Sequence, residues 1–363
     1  MTDKKYLNTA LPPNSTIGII GGGQLGRMLA SSAARLGFST IVLEPGADCP
    51  AAQTCNRHIV APYDDEQALA ELAKNCAVVT YEFENVPLNA AAFLDTQVPL
   101  YPPALALKMS QDRLLEKQFL QDAGLEVADF HNVENPGDLL AALADFGGGI
   151  LKTRRFGYDG KGQKVFSQGE LTVEAAADVL DQLGGGPFVL ERRIDFDSEF
   201  SVIAVRSTDG ATRAYDPSTN IHEAGILRRS IVPSGLDQAI ANRARDMAAI
   251  LLNALGYVGV IGVEFFQVGN DLLINEFAPR VHNSGHWTRE ACATSQFEQH
   301  IRAVTGHALG SVTRYHDCEM INLLGDEGLK ISSYLQEPSA EVTLYGKSEA
   351  RAGRKMGHVT RLL

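Results

Sequence analysis

The sequence predicts a mixed α/β and α+β chain: a doubly wound amino-terminal domain, two central α+β units and a small carboxy-terminal domain. Three observations carry this. Residues 16–100 alternate short apolar runs with helical patterns, and residues 149–308 pair apolar runs around glycine-rich turns. After Gly310 only short strand-like pieces and a basic end remain.

In order, TIGIIG, STIVLE and AVVTYE read as strands, with QLGRMLASSAARLG and EQALAELAKN as helices between them. Strand and helix taking turns means βαβ units and a parallel sheet. YPPALALKMSQDRLLEKQFLQDAGL is a proline-marked boundary followed by an amphipathic helix. GGGILKT and PFVLERR read as strands flanking a glycine loop and a helix near LTVEAAADVLDQL. Beyond them FSVIAVRS, VGVIGVEFF and DLLINEF are the strands of a larger unit, and EMINLLG and AEVTLYG those of the tail. The divisions expected are 1–105, 106–190, 191–308 and 309–363.

A chain of 363 residues is long enough for two or three domains with real cores. Its net charge of −12 argues against a nucleic-acid binder. MTDKKYLNTALPPNST lacks the apolar core of a secretory signal, and no run approaches the about 20 apolar residues of a membrane helix. Cys49, Cys55, Cys76, Cys292 and Cys318 are scattered without a CxxC pair, as in a reduced cytoplasmic protein.

GGGQLG places Gly21, Gly23 and Gly26 after a strand and at the start of a helix, with Glu44 ending the next strand. Alone this is a dinucleotide-binding fingerprint. Its mechanics are general, because a helix amino end with free N–H groups suits any phosphate. A nicotinamide cofactor, another phosphate and a purely structural turn all stay open.

LKTRRFGYDGKGQKV gathers Lys152, Gly157, Gly160, Lys161 and Gly162 between two strands. It is not a Walker A loop, but such a flap can fold its amides over triphosphate oxygens while lysines neutralise charge. A basic hairpin turn is the plainer alternative.

VGVIGVEFFQVGNDLLINEFAPR reads as two strands around the Gly269–Asn270 turn. That pairing sets Glu264 opposite Asn275, or opposite Glu276 if the loop carries one extra residue. Glutamates in apolar strands are costly unless a cation compensates them. Two carboxylates and an amide oxygen suit Mg²⁺ bridging nucleotide phosphates; pairing of one glutamate with Arg280, or exposure to solvent, is the competing reading. In the tail, KSEARAGRKMGHVTR carries five basic residues against one acid, either a solvated end or a phosphate site.

Together these segments resemble the ATP-grasp superfamily and, within it, the 5-(carboxyamino)imidazole ribonucleotide synthases. The carrying residues are GGGQLGRM at 21–28, TYEFENV at 80–86, QDRLLEK at 111–117, GYDGKGQ at 157–163, NEFAPRVHNSGHWT at 275–288 and GRKMGH at 353–358. The resemblance implies a pre-ATP-grasp domain, a two-lobed ATP-grasp domain and a small carboxy-terminal domain. It implies ATP and Mg²⁺ as cofactors, 5-aminoimidazole ribonucleotide and bicarbonate as substrates, and a homodimer.

By the same resemblance, Arg113 and Lys152 contact ATP phosphates beneath a flap of Gly157, Tyr158, Asp159, Gly160, Lys161, Gly162 and Gln163. Glu191, Arg192, Arg193 and Ile194 line the adenine pocket through main-chain groups, Glu199 holds the ribose and His222 lies at its edge. Glu264 and Glu276 hold Mg²⁺ beside Asn275. Gly23, Gln24, Leu25, Glu82, Lys347, Arg354 and Lys355 take the ribonucleotide. Asp159 and Lys161 reach its reacting end, and Arg280, His282 and Asn283 surround the bicarbonate-derived intermediate. Lys161 replaces the family's usual arginine, and Thr219 a longer polar residue. The competing activities are a dehydrogenase using Glu44 on a ribose, a sister ligase using another small acid, and a nucleotide-binding regulator without turnover.

Overall fold

The computed structural model describes all residues except 1–6, 8, 158–161, 168 and 170. The amino-terminal domain runs β1 (Thr16–Ile20), α1 (Gln24–Arg35), β2 (Ser39–Leu43), β3 (Arg57–Ile59), α2 (Glu66–Asn75), β4 (Val78–Tyr81) and α3 (Leu88–Gln97). Its sheet is parallel, in order β3-β2-β1-β4. The chain leaves β1 toward β2 and returns to β4 on the other side, so the strand order reverses between β1 and β4. Ligands of such sheets sit outside the carboxyl ends of the strands at that point, which here is Gly21 beside Glu82.

Helices α4 (Ala104–Ser110) and α5 (Arg113–Asp122) lead into a second sheet of β5 (Phe130–Val133), β6 (Gly149–Thr153), β7 (Gln163–Phe166) and β8 (Phe188–Glu191), backed by α6 (Pro136–Phe146) and α7 (Val173–Gln182). Its order is β5-β8-β6-β7, all antiparallel. Asp112 caps α5 by accepting from Leu114 N and Leu115 N, and its carboxylate also takes a two-pronged pair from Arg154 at 2.8 and 2.7 Å. That pair ties the start of α5 to the end of β6.

The third sheet holds β9 (Ser198–Arg206), β10 (Thr212–Ala214), β11 (Ser218–Glu223), β12 (Ile226–Val232), β13 (Gly259–Val268), β14 (Asp271–Ala278), β15 (Cys318–Leu324), β16 (Ala340–Leu344) and β17 (Lys355–Leu362). Helix α8 (Gln238–Ala254) packs on one face, and α9 (Thr288–Ala291) and α10 (Gln296–Val304) follow β14. The order is β14-β13-β9-β11-β12-β15-β17-β16, with β10 on β9. The carboxy-terminal strands therefore continue the large central sheet through β12–β15 pairing. Trp287 and Phe297 lie in the core cluster that also packs against α1, joining the first and third sheets.

The sequence reading missed four strands of this sheet, the short β10 among them. β11 and β12 form a hairpin in DPSTNIHEAGIL and onward, and β17 lies in the basic tail. β17 buries Gly357, His358, Val359 and Thr360 together, so no alternation of apolar and polar residues announces it. No helix among the described residues is long and apolar enough to cross a membrane.

Candidate active site

The three sheets converge on a cavity of about 610 Å³. The amino-terminal domain contributes Gln24, Leu25, Glu82 and Glu84, the second sheet Lys152 and Thr153, and the third sheet most of the rest, including Lys355.

One wall is acidic. Glu264 on β13 faces Glu276 on β14, with Phe265 already paired to Ile274, so Asn275 is an extra residue in β14. The Gly269–Asn270 turn has only two residues between the paired Val268 and Asp271. The shift that brings the two glutamates together is thus a β-bulge at Asn275 and not a longer loop. A bulge turns successive side chains toward one side, and Asn275 and Glu276 both line the cavity. Asn275 Oδ1 is buried without a hydrogen-bond partner. Burial first, then Glu276 and Glu199, push the Glu264 carboxyl up to about 8. A cation here would relieve that repulsion and satisfy the orphaned amide oxygen. Among the described residues no three His, Cys, Asp or Glu side chains converge as a complete metal cage. The donors fit Mg²⁺, which takes one or two carboxylates and completes its shell with phosphate and water.

The facing wall is cationic and anchored on one buried carboxylate. Glu191 Oε2 lies 2.9 Å from Lys152 Nζ and 3.2 Å from Lys117 Nζ. Arg113 sits 3.6 Å from Glu191 Oε1 and 2.7 Å from Glu276 Oε2. Burial alone would raise the Glu191 pKa, but Lys152, Lys117 and Arg113 hold it well below the carboxylate range. Burial lowers Lys152 against the opposing pull of Glu191. Helix spacing puts Arg113 and Lys117, four residues apart, on one face of α5.

The first glycine turn is filled from within the chain. Glu82 accepts hydrogen bonds from Gly23 N and, at 2.6 Å, Gly26 N. Glu44 accepts from Gly22 N at 2.9 Å and also from the Tyr63 hydroxyl. A Cβ at Gly21, whose φ is +101°, would lie 2.5 Å from Glu82 Cγ. The seat of a dinucleotide pyrophosphate is therefore taken by two carboxylates. Burial raises the Glu82 pKa, with the amides of Gly26 and Gly23 opposing it. Beside this turn, Gln53 Nε2 donates to Gly346 O at 2.7 Å, docking the carboxy-terminal domain. Lys347 Nζ donates to Lys355 O at 2.6 Å, and Arg354 Nη1 to Glu349 O at 2.8 Å. Burial, with Arg354 nearby, lowers Lys347 to about 8.

Between these walls lie Arg280, His282 and Asn283. Arg280 Nε donates to Glu84 Oε2 at 2.5 Å, and that guanidinium outweighs burial to hold Glu84 at about 2. Burial, then Arg280 and Lys355, push His282 down to about 3. Both polar atoms of the Asn283 side chain are buried without partners.

Of the other residues singled out in the sequence, Gly157, Gly162, Gln163, Glu199 and His222 line the same cavity. His222 Nδ1 sits 3.1 Å from Glu199 Oε2; burial would lower its pKa, and Glu199 raises it. Arg192 turns to Asp129 at 2.9 Å and stacks on Phe146, while Arg193 pairs with Asp195 on the surface. Neither side chain reaches the cavity, nor does Ile194. Tyr158, Asp159, Gly160 and Lys161 lie outside the described residues. Thr219 faces away from the site, donating to Ser234 O at 2.8 Å. Sequence reasoning missed Lys117 and Glu116. Glu116 accepts from Phe277 N at 2.8 Å, and burial followed by Glu276 pushes it to about 8. The signal was the ionic run in QDRLLEK, on a helix otherwise read only as amphipathic.

Acidic and cationic walls in one cavity that Gly157 and Gly162 also line are the marks of an ATP-grasp protein. Family models agree: the ribonucleotide synthetase preATP-grasp domain matches residues 14–111, the ATP-grasp domain 118–297, and the phosphoribosylaminoimidazole carboxylase C-terminal domain 318–363. The N5-carboxyaminoimidazole ribonucleotide synthase of Brucella melitensis is 54% identical, over 98% of each chain. The Staphylococcus aureus N5-carboxyaminoimidazole synthetase complexed with ADP superposes with a TM-score of 0.91 at 37% identity, covering 98% of this chain and 95% of that one. The Aspergillus clavatus synthase in complex with ADP and 5-aminoimidazole ribonucleotide gives 0.89 at 30% identity, covering 96% and 94%. The chain belongs to the N5-carboxyaminoimidazole ribonucleotide synthase family.

Proposed function

We propose that this protein carboxylates 5-aminoimidazole ribonucleotide with bicarbonate, consuming ATP, in purine biosynthesis. The observation that carries the proposal is one cavity lined by the Glu264–Glu276 pair, by Lys152 and Arg113, and by Gln24, Leu25 and Lys355. A triphosphate and a second anionic substrate are both provided for.

Bicarbonate oxygen attacks the γ-phosphorus, giving carboxyphosphate and ADP. Carboxyphosphate, or CO₂ released from it, then bonds to the exocyclic amine, which loses a proton, and phosphate departs. Glu264, Glu276 and Asn275 would hold Mg²⁺, which offsets phosphate charge when bound. Lys152 and Arg113, kept in place by Glu191, steady the transferring phosphoryl group. Main chain at 191–194 lines the adenine pocket, Glu199 holds the ribose, and His222 orients it. The ribonucleotide phosphate sits between the free N–H groups of Gln24 and Leu25 at the start of α1 and the cations Lys347, Arg354 and Lys355. Gly23 contributes room, because its N–H is already given to Glu82. Arg280, His282 and Asn283 keep the labile acyl anion from water. The flap residues Gly157 to Gln163 close over the triphosphate, and Asp159 removes the amine proton beside Lys161.

We also infer a homodimer acting in the cytoplasm, with domain divisions at about residues 105, 190 and 308; these rest on the family likeness. Label from ¹³C-bicarbonate appearing in the ribonucleotide, one carbon per ADP, supports the reaction. ADP release without labelled ribonucleotide contradicts it.

A further inference from the structure

Behind the acidic wall, polar side chains are buried on three adjacent strands: Ser201 on β9, Ser218 and Asn220 on β11, and Ser230 on β12. Ser284, just after β14, joins them, and all five are buried. Ser201 is the cross-strand partner of both Glu264 and Ser218, and Asn220 of Ser230. None of the five lines the cavity. Polar groups so placed are costly unless hydrogen-bonded, so the path of their protons is informative.

The path is continuous. Ser230 Oγ donates to Asn220 Oδ1 at 3.1 Å, and Asn220 Nδ2 donates to Ser201 Oγ at 3.1 Å. Ser201 Oγ donates to Ser284 Oγ at 2.6 Å, and Ser284 Oγ lies 2.8 Å from His282 Nδ1. A hydroxyl has one proton to give. Ser201 gives its proton to Ser284, so across the 3.1 Å contact with Ser218 Oγ it is Ser218 that donates to Ser201, which leaves the Ser284 proton for Nδ1. A ring that accepts at Nδ1 carries its one proton on Nε2, the nitrogen 3.5 Å from Glu264 Oε1.

The ring is also held from behind. Gln296, fully buried, accepts from His282 N at 2.9 Å and donates to His282 O at 2.7 Å. A Cβ at Gly262 would lie 2.6 Å from His282 Cβ, so the seat of this residue needs a glycine opposite.

We propose that Asn220, Ser201 and Ser284 form a one-way hydrogen-bond relay that fixes His282 as its Nε2–H tautomer. His282 thereby offers the cavity a donor, and not a lone pair, for the anion held beside Arg280. The consequence for turnover rests on the reaction proposed above; the tautomer assignment does not. Asn220, Ser201 and Ser284 are positioning residues, acting only through His282.

The test uses the full chain labelled with [¹⁵N]histidine, its His282 signals identified by their loss in His282→Gln. The expected wild-type spectrum has His282 Nδ1 unprotonated and Nε2 protonated. Asn220→Asp keeps the shape but has no proton for Ser201, so the relay reverses and the proton moves to Nδ1. Ser284→Ala removes a single oxygen and gives a mixture of tautomers; it carries the test if Asn220→Asp does not fold. Ser284→Ala should lower kcat for carboxylation on the order of tenfold with KM for ATP unchanged. A wild-type Nδ1–H signal, or a tautomer unmoved by Ser284→Ala, overturns the proposal. Wild-type protein that turns over nothing with the ribonucleotide would instead overturn the reaction and leave the tautomer assignment standing.

Discussion

The two ends of the cavity handle charge in opposite ways. At the acidic end the cations and carboxylates neutralise each other across the domain boundary: Glu191 gathers Lys117, Lys152 and Arg113, and Arg113 bridges on to Glu276. At the far end the carboxylates go to backbone amides, Glu82 to the turn before α1 and Glu44 to Gly22. Beside it, outside the residues that line the cavity, Lys347 and Arg354 donate to main-chain carbonyls, which leave their charge in place. The first arrangement is a structural hub that also faces a ligand. The second keeps positive charge available for an anion. The glycine turn that resembles a phosphate cradle is plugged by Glu82 and Glu44, and the proposed ribonucleotide phosphate site lies beside it.

The comparison breaks first at Glu191. Glu191→Gln leaves three cations around a neutral amide, and removing one partner of a buried pair costs about 3–5 kcal/mol. Urea unfolding should show that loss, whereas Lys347→Ala should leave the unfolding midpoint nearly unchanged. Glu276→Gln comes next: ADP release should fall by ~10²-fold or more with the fold retained, as expected for loss of phosphate-charge stabilisation. Steady-state kinetics at saturating ATP reads this directly. Lys347→Ala should raise KM for the ribonucleotide by about tenfold, since it removes a charged hydrogen bond, and leave KM for ATP alone.

The smallest effect is in the pH dependence. Folding lowers Lys347 to about 8 from a reference value of 10.5. The folded state therefore binds its proton less readily than the unfolded chain. Its contribution to stability is fully present above the unfolded pKa and is lost as pH falls through 8. In the proposed site binding runs the other way, because the Lys347 charge assigned to the phosphate disappears above pH 8. KM for the ribonucleotide should rise about fourfold between pH 7.5 and 9, and Lys347→Arg, which stays charged, should flatten that rise.

Much of this was legible in the sequence where the signal is local. The βαβ rhythm of residues 16–100 corresponds to β1, β2 and β4, with the short edge strand β3 unread, and the two runs around Gly269–Asn270 correspond to β13 and β14. Family resemblance also picked out Arg113, Lys152, Glu264 and Glu276, which the fold brings to one cavity. What stayed hidden depends on distant pairing. Glu264 meets Glu276 only through the bulge at Asn275, and a bulge leaves no mark in a run of strand residues. Lys117 looks like an ordinary charge on an amphipathic helix until Glu191, from another strand, arrives against it. The plug in the first glycine turn needs β4 to place Glu82 beside β1. Ser201 lies in a strand the sequence announces, Asn220 and Ser230 in β11 and β12, which it does not, and only the register of β9, β11 and β12 shows them joined.

The most direct test of the central claim is ADP release by the purified protein with Mg-ATP and bicarbonate, measured with and without 5-aminoimidazole ribonucleotide. The account predicts strong stimulation by the ribonucleotide, abolished in Glu276→Gln. Release that is indifferent to the ribonucleotide, yet stimulated by another small acid and amine, would contradict it.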